Sequence, residues 1–184
     1  MAFSGTLNGA VQTAVFDNTG IGFEGQLYTN GDPNLIDGFP VEATPGVYAG
    51  RGVVKGTAVT IPTDKFGNLK APYQVKVPEA GSTFADFVGI AVRAYGMSSD
   101  DTGNNLWEVN KMASIVRKGR ICVLATETVV AGDDVYLYIQ DTLTHGNPIG
   151  TFSKTSTADT IQITNARWYL PATAGDIGVI ELGL

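Results

Sequence analysis

The hydrophobic residues of this chain occur in short runs, and residues typical of turns separate each run from the next. At residues 73–77, Gln74 and Lys76 alternate with three apolar residues, a period of two that predicts a strand with one wet and one dry face. Other β-branched or aromatic runs predict strands at 21–28, 53–61, 87–95, 115–126, 134–139, 160–168 and 177–182. No segment sustains a period of 3.6 residues, and residues 106–116 are the best candidate for a helix.

A glycine–aspartate turn occurs twice, as Ala-Gly-Asp at residues 131–133 and again at 174–176. Glycine supplies the positive φ that a tight turn needs, and aspartate can bond to backbone amides just beyond it. A β-branched or aromatic run follows each copy, so we expect two similar corners that each begin a strand. These features predict an all-β, mainly antiparallel fold, a small barrel or sandwich with Gly-Asp turns, long loops and an N-terminal arm.

The first 19 residues differ from the rest of the chain. They are small and polar, with isolated apolar residues that include Phe3, Leu7 and Phe16. Glycines and missing caps argue against a stable helix here. We therefore expect a flexible arm at 1–19 and a single β-rich domain at 20–184, a size that suits a chain of 184 residues.

The charge composition narrows the class of partner. Charged residues make up 16% of the chain, against roughly 25% for an average soluble domain. The net charge is −6, which argues against nucleic-acid binding, where a basic footprint is expected. The one tight basic cluster, Arg117, Lys118 and Arg120, is interpreted as an ordinary solvated strand start.

The termini and the cysteine add little chemistry. Residues 1–9 lack the basic and apolar regions of a signal peptide, and no apolar run has the length of a membrane span. We therefore expect a soluble protein that is made inside the cell. Cys122 is the only cysteine, so no intramolecular disulfide forms, and its apolar neighbours predict a small buried side chain.

Residues 20–25 fit the pattern G-x-G-x-x-G letter for letter. A dinucleotide site needs a helix directly after this pattern, whereas the following residues are typical of a strand and a turn. We interpret the segment as a glycine-rich strand with a bulge or a close backbone approach. No cofactor is predicted.

Two loops rich in Asp and Asn are candidates for a cation. They contain Asp100, Asp101, Asn104 and Asn105 in one case, and Asp32, Asn34 and Asp37 in the other. Neither has the ligand spacing of a calcium loop or its closing glutamate, so both are interpreted as solvated turns, with weak cation binding as the alternative.

Catalysis has one candidate residue, His145, which lies in a predicted hairpin tip. No nucleophile elbow accompanies it, and one His with one Cys cannot complete a zinc shell. We predict no catalytic or metal-binding residue. Five aromatic residues suit either the core or a sugar-stacking surface, and we favour the core: Trp107, Tyr136, Tyr138, Trp168 and Tyr169.

Several short segments carry a resemblance to a known family. They are 22–26 (Gly-Phe-Glu-Gly-Gln), 48–56, the strand Phe-Val-Gly-Ile-Ala-Val-Arg at 87–93, 116–123 leading into 130–136, and the closing group 166–168, 174–176 and 179–182. In order and spacing they resemble the structural cement, or head-decoration, proteins of tailed bacteriophages. The resemblance covers most of residues 20–182, while 97–111 and 140–165 depart from it as long polar stretches.

The resemblance implies a non-enzymatic protein on the outer surface of the virion capsid, made in the bacterial host cytoplasm. It would bridge neighbouring major capsid subunits as a homo-oligomer on the shell, without nucleic-acid or membrane partners. Phe3, Leu7 and Phe16 are then candidate interface residues, because an arm can add a strand or fill a groove on a neighbour. Two alternatives are a glycan-binding module of a phage head or tail protein, and a hydrolase that uses His145.

Overall fold

The computed structural model describes residues 22–28, 34–42, 46–58, 73–95, 97–100, 103–140 and 149–183. Over these residues the chain is mainly antiparallel strand, with one 3-10 turn at Phe84–Asp86, which confirms the predicted all-β class. The strands are β1 (Leu35–Pro40), β2 (Val47–Tyr48), β3 (Gly52–Ala58), β4 (Tyr73–Lys76), β5 (Phe87–Ala91), β6 (Ser98–Ser99), β7 (Asn105–Trp107), β8 (Met112–Leu124), β9 (Asp134–Tyr138), β10 (Phe152–Ser153), β11 (Thr160–Leu170) and β12 (Ile177–Leu182). Within the described ranges, no helix is long and apolar enough to cross a membrane.

The long strand β8 connects two groups of strands. Its first half pairs with β1 on one edge and β5 on the other, so that Val116 lies between Ile36 and Ile90. Its second half, from Gly119 to Leu124, pairs with β12. The strand β8 therefore changes its pairing partners midway, and the nine-stranded sheet formed by the described residues curls along it.

The first group contains β1, β5, β3 and β4 around the first half of β8. The end of β1 returns to β4, where Val41 and Val75 form a parallel bridge and the amide of Glu42 donates to the carbonyl of Val75 at 2.9 Å. The interior holds alanine, β-branched and aromatic side chains, and on β8, and from the end of β1 into Val41, they come from alternate positions, as expected for strands with one buried face. These are Phe39, Val41, Val47, Val53, Val75, Val88, Ala91, Ala113 and Ile115.

The second group contains β12, β11, β9 and β10 beside the second half of β8. It curls until β10 meets the chain just beyond β8, through a parallel bridge between Ala125 and Phe152. Trp168 fills its core with no exposed surface. Aromatic core residues of this size contribute about 3–5 kcal/mol to stability.

The two Gly-Asp turns begin strands, as expected. Gly132 and Gly175 have φ of +93° and +87°, and β9 and β12 start directly after the two turns. The aspartate bonds run backwards rather than to amides further along: Asp133 accepts from the amide of Val130 at 2.9 Å, and Asp176 from the hydroxyl of Thr173. Each carboxylate therefore closes the turn that precedes its strand.

The best helix candidate, residues 106–116, does not form a helix. Asn105–Trp107 is a strand, and a turn follows it, in which the amide of Lys111 donates to the carbonyl of Glu108 and Asn110 has φ of +64°. The strand β8 begins at Met112. Pairing with β2 and β6 on one side of the turn, and with β1 and β5 on the other, outweighs the weak helical spacing.

The predicted strand at 21–28 is wrong. A turn closes at residues 23–26, where the amide of Gln26 donates to the carbonyl of Phe23 at 2.9 Å, and Leu27 makes a single bridge to Ile121. The other predicted strands are present; β12 has the predicted bounds, and the rest have shifted ends. The strands β1, β2, β6, β7 and β10 were not predicted.

Candidate functional site

Gly25 and Gly50 lie in close contact where residues 22–26 meet the sheet. The amide of Gly25 donates to the carbonyl of Cys122 at 2.8 Å, and its carbonyl accepts from the amide of Arg93 at 2.7 Å. The amide of Gly50 donates to the carbonyl of Ala91 at 2.8 Å. A Cβ on Gly25 would lie 2.7 Å from the Gly50 nitrogen. We call this contact, with its backbone partners, the glycine junction.

The glycine junction brings together segments that are distant in sequence. Four of the segments that carry the family resemblance contribute to it: 22–26, 48–56, 87–93 and 116–123. The expected close backbone approach in the glycine-rich segment is therefore confirmed. The segment closes a turn at residues 23–26, and Leu27 after it makes a single bridge, where a dinucleotide site needs the start of a helix. The matching segments build a structural joint.

A partly buried ion pair lies beside the glycine junction. Glu24 Oε1 is 3.1 Å from Arg51 Nε, and the two side chains are 27% and 13% exposed. Burial raises the pKa of Glu24, and the charge of Arg51 offsets only part of that rise; burial likewise lowers the pKa of Arg51. Beyond this ion-pair contact, neither Glu24 Oε1 nor Arg51 Nη1 has a hydrogen-bond partner among the described residues. Each charge therefore depends on the other for compensation.

An open groove of about 460 Å³ adjoins the glycine junction, lined by Phe23, Gln26, Leu27, Val92 and Arg93. We call it the Phe23 groove. The guanidinium carbon of Arg93 lies 4.9 Å from the centre of the Phe23 ring, a cation–π contact. Phe23 is 52% exposed, whereas Val92 at the base is buried. The groove thus combines an apolar floor with a cationic wall.

The sequence analysis placed the basic cluster at the start of a strand. In the structure it lies inside β8 instead. Arg117 Nη1 lies 3.1 Å from Asp37 Oδ2. Arg120 Nε donates to Glu181 Oε1 at 2.9 Å, while its guanidinium lies 3.8 Å from the centre of the Tyr169 ring. Two of the three positive charges are thus paired within the fold, and only Lys118 is left exposed without such a pair in these contacts, which does not resemble a nucleic-acid footprint.

Glu181 receives a second arginine. Arg167 Nη2 lies 2.7 Å from Glu181 Oε2. Burial raises the pKa of this carboxyl, but its hydrogen bonds to Arg167 and Arg120, together with their charges, lower the pKa below its usual value. The carboxylate thus holds β8, β11 and β12 together from the outer face of the sheet.

The five candidate sugar-stacking aromatics do not form one exposed face. Trp168 and Tyr138 are buried, Trp107, Tyr136 and Tyr169 are partly buried. The indole nitrogen of Trp107 donates to the carbonyl of Val92 at 3.0 Å. These positions favour the core interpretation over a glycan platform.

The described members of the two candidate cation loops are engaged in hydrogen bonds. The backbone amide of Asn104 donates to Asp100 Oδ1 at 2.9 Å, and Asn34 Oδ1 accepts from the backbone amide of Arg120 at 3.2 Å. No group of three or more His, Cys, Asp or Glu suited to a metal occurs among the described residues. Cys122 is buried, which raises the pKa of its thiol to about 11.

Several residues singled out in the sequence lie outside the described residues. These are Phe3, Leu7, Phe16, Asp32, Asp101 and His145. Two features that the sequence analysis missed are the Glu24–Arg51 pair and the Phe23 groove. Arg51 lies between Gly50 and Gly52, and Gly25 directly follows Glu24, which is the one sequence signal that points to a crowded backbone there.

Comparisons with known proteins identify the family. The family model for structural cement protein (E217 gp24/Pam3 gp6) matches residues 11–183. A chain from the solved capsid of Myoviridae phage XM1 has the same fold, with a TM-score of 0.62 at 17% identity, covering 98% of this chain and 97% of that one. No curated protein matches. Because the family match spans nearly the whole sequence, the chain belongs to the structural cement proteins of phages.

Proposed function

We propose that this cement protein binds the outer surface of a tailed-phage head, bridges neighbouring major capsid subunits and helps the shell resist the pressure of packaged DNA. The observation that carries the proposal is the family match over residues 11–183. The net charge of −6 supports an outer position, because a surface facing packaged DNA would be expected to be basic. The protein is made in the host cytoplasm and acts on the virion.

The division of the chain is part of the proposal. Residues 1–19 act as a flexible arm and residues 20–184 as one β-rich domain. The apolar side chains Phe3, Leu7 and Phe16 support the arm's role, since they can anchor an otherwise polar segment in grooves or along strand edges. Many copies on one shell, assembled as a homo-oligomer, gain avidity without a single strong contact.

We further propose that the protein works by contact and not by catalysis, without nucleic-acid or membrane partners. The polar groups of the described site support this view. Glu24 is paired with Arg51, and Glu181 with two arginines. The thiol of Cys122 is buried with a raised pKa, which disfavours the reactive thiolate.

Co-sedimentation tests the proposed function. Purified protein is mixed with expanded heads that lack it, and the pellet is assayed for bound protein. We expect saturable binding at a fixed ratio to the major capsid protein. Heads that sediment without the added protein would remove the proposal, and bovine serum albumin at the same concentration controls for trapping in the pellet.

Replacing Phe3, Leu7 and Phe16 together by serine is expected to weaken shell binding by at least about tenfold, because each large apolar side chain is worth about 1.5–3 kcal/mol when buried. The far-ultraviolet circular dichroism of the domain is expected to stay unchanged. The dissociation constant from co-sedimentation provides the measurement.

The matched control for the arm replaces its polar residues Ser4, Asn8 and Gln12 by alanine, which alters the same segment without removing apolar anchors. This control is expected to bind as the native protein does. Equal binding by both variants would show that the arm does not anchor the protein, and unfolding of the serine variant would place the arm in the core instead.

A further inference from the structure

The Phe23 groove lies at the point where the N-terminal segment reaches the described part of the chain. Gly22 is the first described residue, and Phe23, the next residue, forms one wall of the groove. Residues 1–21 precede Gly22. Val92 is 6% exposed at the base, and Leu27 beside it is half-buried. The guanidinium carbon of Arg93 lies 4.9 Å from the centre of the Phe23 ring, and the side chain is exposed. The five N–H groups of a guanidinium suit it to bind a carboxylate.

The sequence of residues 1–21 complements this surface in charge and apolarity. Asp17 is the only charged side chain in the segment, and Phe16 directly precedes it. Residues 17–20, Asp-Asn-Thr-Gly, are of the types that favour a chain reversal. Six residue steps separate Phe16 from Gly22 and can span up to about 20 Å, which is ample for a return to the groove.

We propose that the Phe23 groove holds the root of the chain's own N-terminal segment, with the Phe16 ring on the floor formed by Leu27 and Val92 and the Asp17 carboxylate on the Arg93 guanidinium. This proposal deepens the proposed function, and its consequence for shell binding depends on that function. Phe16 would fix the direction in which the arm leaves the domain, and Phe3 and Leu7 would extend to the neighbouring subunit.

The segment of the same chain is the favoured occupant of the Phe23 groove, because only a few residues link Phe16 to the domain. A tether of a few residues gives an effective concentration in the millimolar range, so even weak docking is populated within one molecule. The segment of a second copy must compete at the free protein concentration. Docking in the same chain is therefore independent of dilution, which separates the two cases.

Chymotrypsin digestion of the full-length protein tests the proposal, because Phe3, Leu7 and Phe16 provide three cleavage sites along the segment. Each cleavage rate, followed by mass spectrometry, is divided by the rate at the same bond in a free peptide of residues 1–21. We expect about tenfold protection of the bond after Phe16, as for a weakly docked tether, and none after Phe3. Arg93→Met is expected to reduce the protection about threefold, the loss expected for an exposed ion pair.

The matched control is Arg117→Met, which removes an exposed arginine outside the groove and is expected to keep the full protection. Cleavage after Phe16 at the free-peptide rate, or protection that is equal in Arg93→Met and the native protein, would overturn the proposal. Protection that disappears on dilution would assign the groove to a second copy and also overturn it. No shells are present, so these results are independent of whether the protein binds capsids.

Discussion

Replacing Gly25 by alanine is expected to destabilise the folded protein by about 3 kcal/mol, from a left-handed backbone penalty of about 1–2 kcal/mol together with overpacking. Gly25 has φ of +78°, and a Cβ there would lie 2.7 Å from the Gly50 nitrogen, 2.8 Å from Ala49 Cβ and 3.0 Å from the Arg93 nitrogen. Two of these neighbours are backbone atoms that are themselves hydrogen-bonded, so the junction cannot relax by moving a side chain.

The matched control is Gly132→Ala. Gly132 has a similar φ of +93°, but an added Cβ would meet nothing within 4 Å, so only the backbone penalty of about 1–2 kcal/mol is expected. Urea unfolding of both variants measures the difference. If Gly25→Ala lost no more stability than Gly132→Ala, the crowding at the glycine junction would not be the reason for the glycine.

The second large effect is expected from Arg51→Met, which leaves Glu24 as a partly buried carboxylate without a partner and costs about 2 kcal/mol at neutral pH, less than for a fully buried pair because part of the carboxylate stays hydrated. The double variant Glu24→Gln with Arg51→Met removes both charges and is expected to recover most of that loss. Chemical unfolding of the two single variants and the double variant completes a thermodynamic cycle. A double variant as unstable as Arg51→Met would contradict the ion-pair explanation.

The loss in Arg51→Met is expected to depend on pH. Burial already raises the pKa of Glu24, and removing the Arg51 charge raises it further. A carboxyl with a raised pKa binds its proton more tightly in the folded state, so its stability contribution is present at low pH and is lost as pH rises through the folded pKa. The destabilisation should therefore be small near pH 4 and full at neutral pH. Equal losses at both pH values would contradict this.

The strands at the end of the chain could be predicted because local signals agree with tertiary pairing there. The run 177–182 follows a Gly-Asp turn and contains mainly β-branched or leucine residues, and β12 occupies the same residues. The strand β1 escaped prediction because it contains Gly38 and Pro40, and its residues Leu35 and Ile36 are exposed. Pairing with β8 creates that strand, and no local pattern encodes the partner.

The site was less accessible from the sequence than the fold. The glycine junction joins residues that are 25 or more positions apart, and a single sequence does not reveal which glycines approach each other. The Glu24–Arg51 pair is hidden for the same reason, since surface charges and buried charges have the same letters. The resemblance located the relevant segments, and the structure supplied their contact.

The rupture temperature of DNA-filled heads tests the central claim most directly. Heads that lack this protein are heated with and without saturating purified protein, and DNA release is followed with a fluorescent dye. The account predicts that bound protein raises the rupture temperature in proportion to occupancy, and that a variant with Phe3, Leu7 and Phe16 replaced by serine requires higher concentrations for the same effect. Full occupancy with an unchanged rupture temperature would contradict a cementing function.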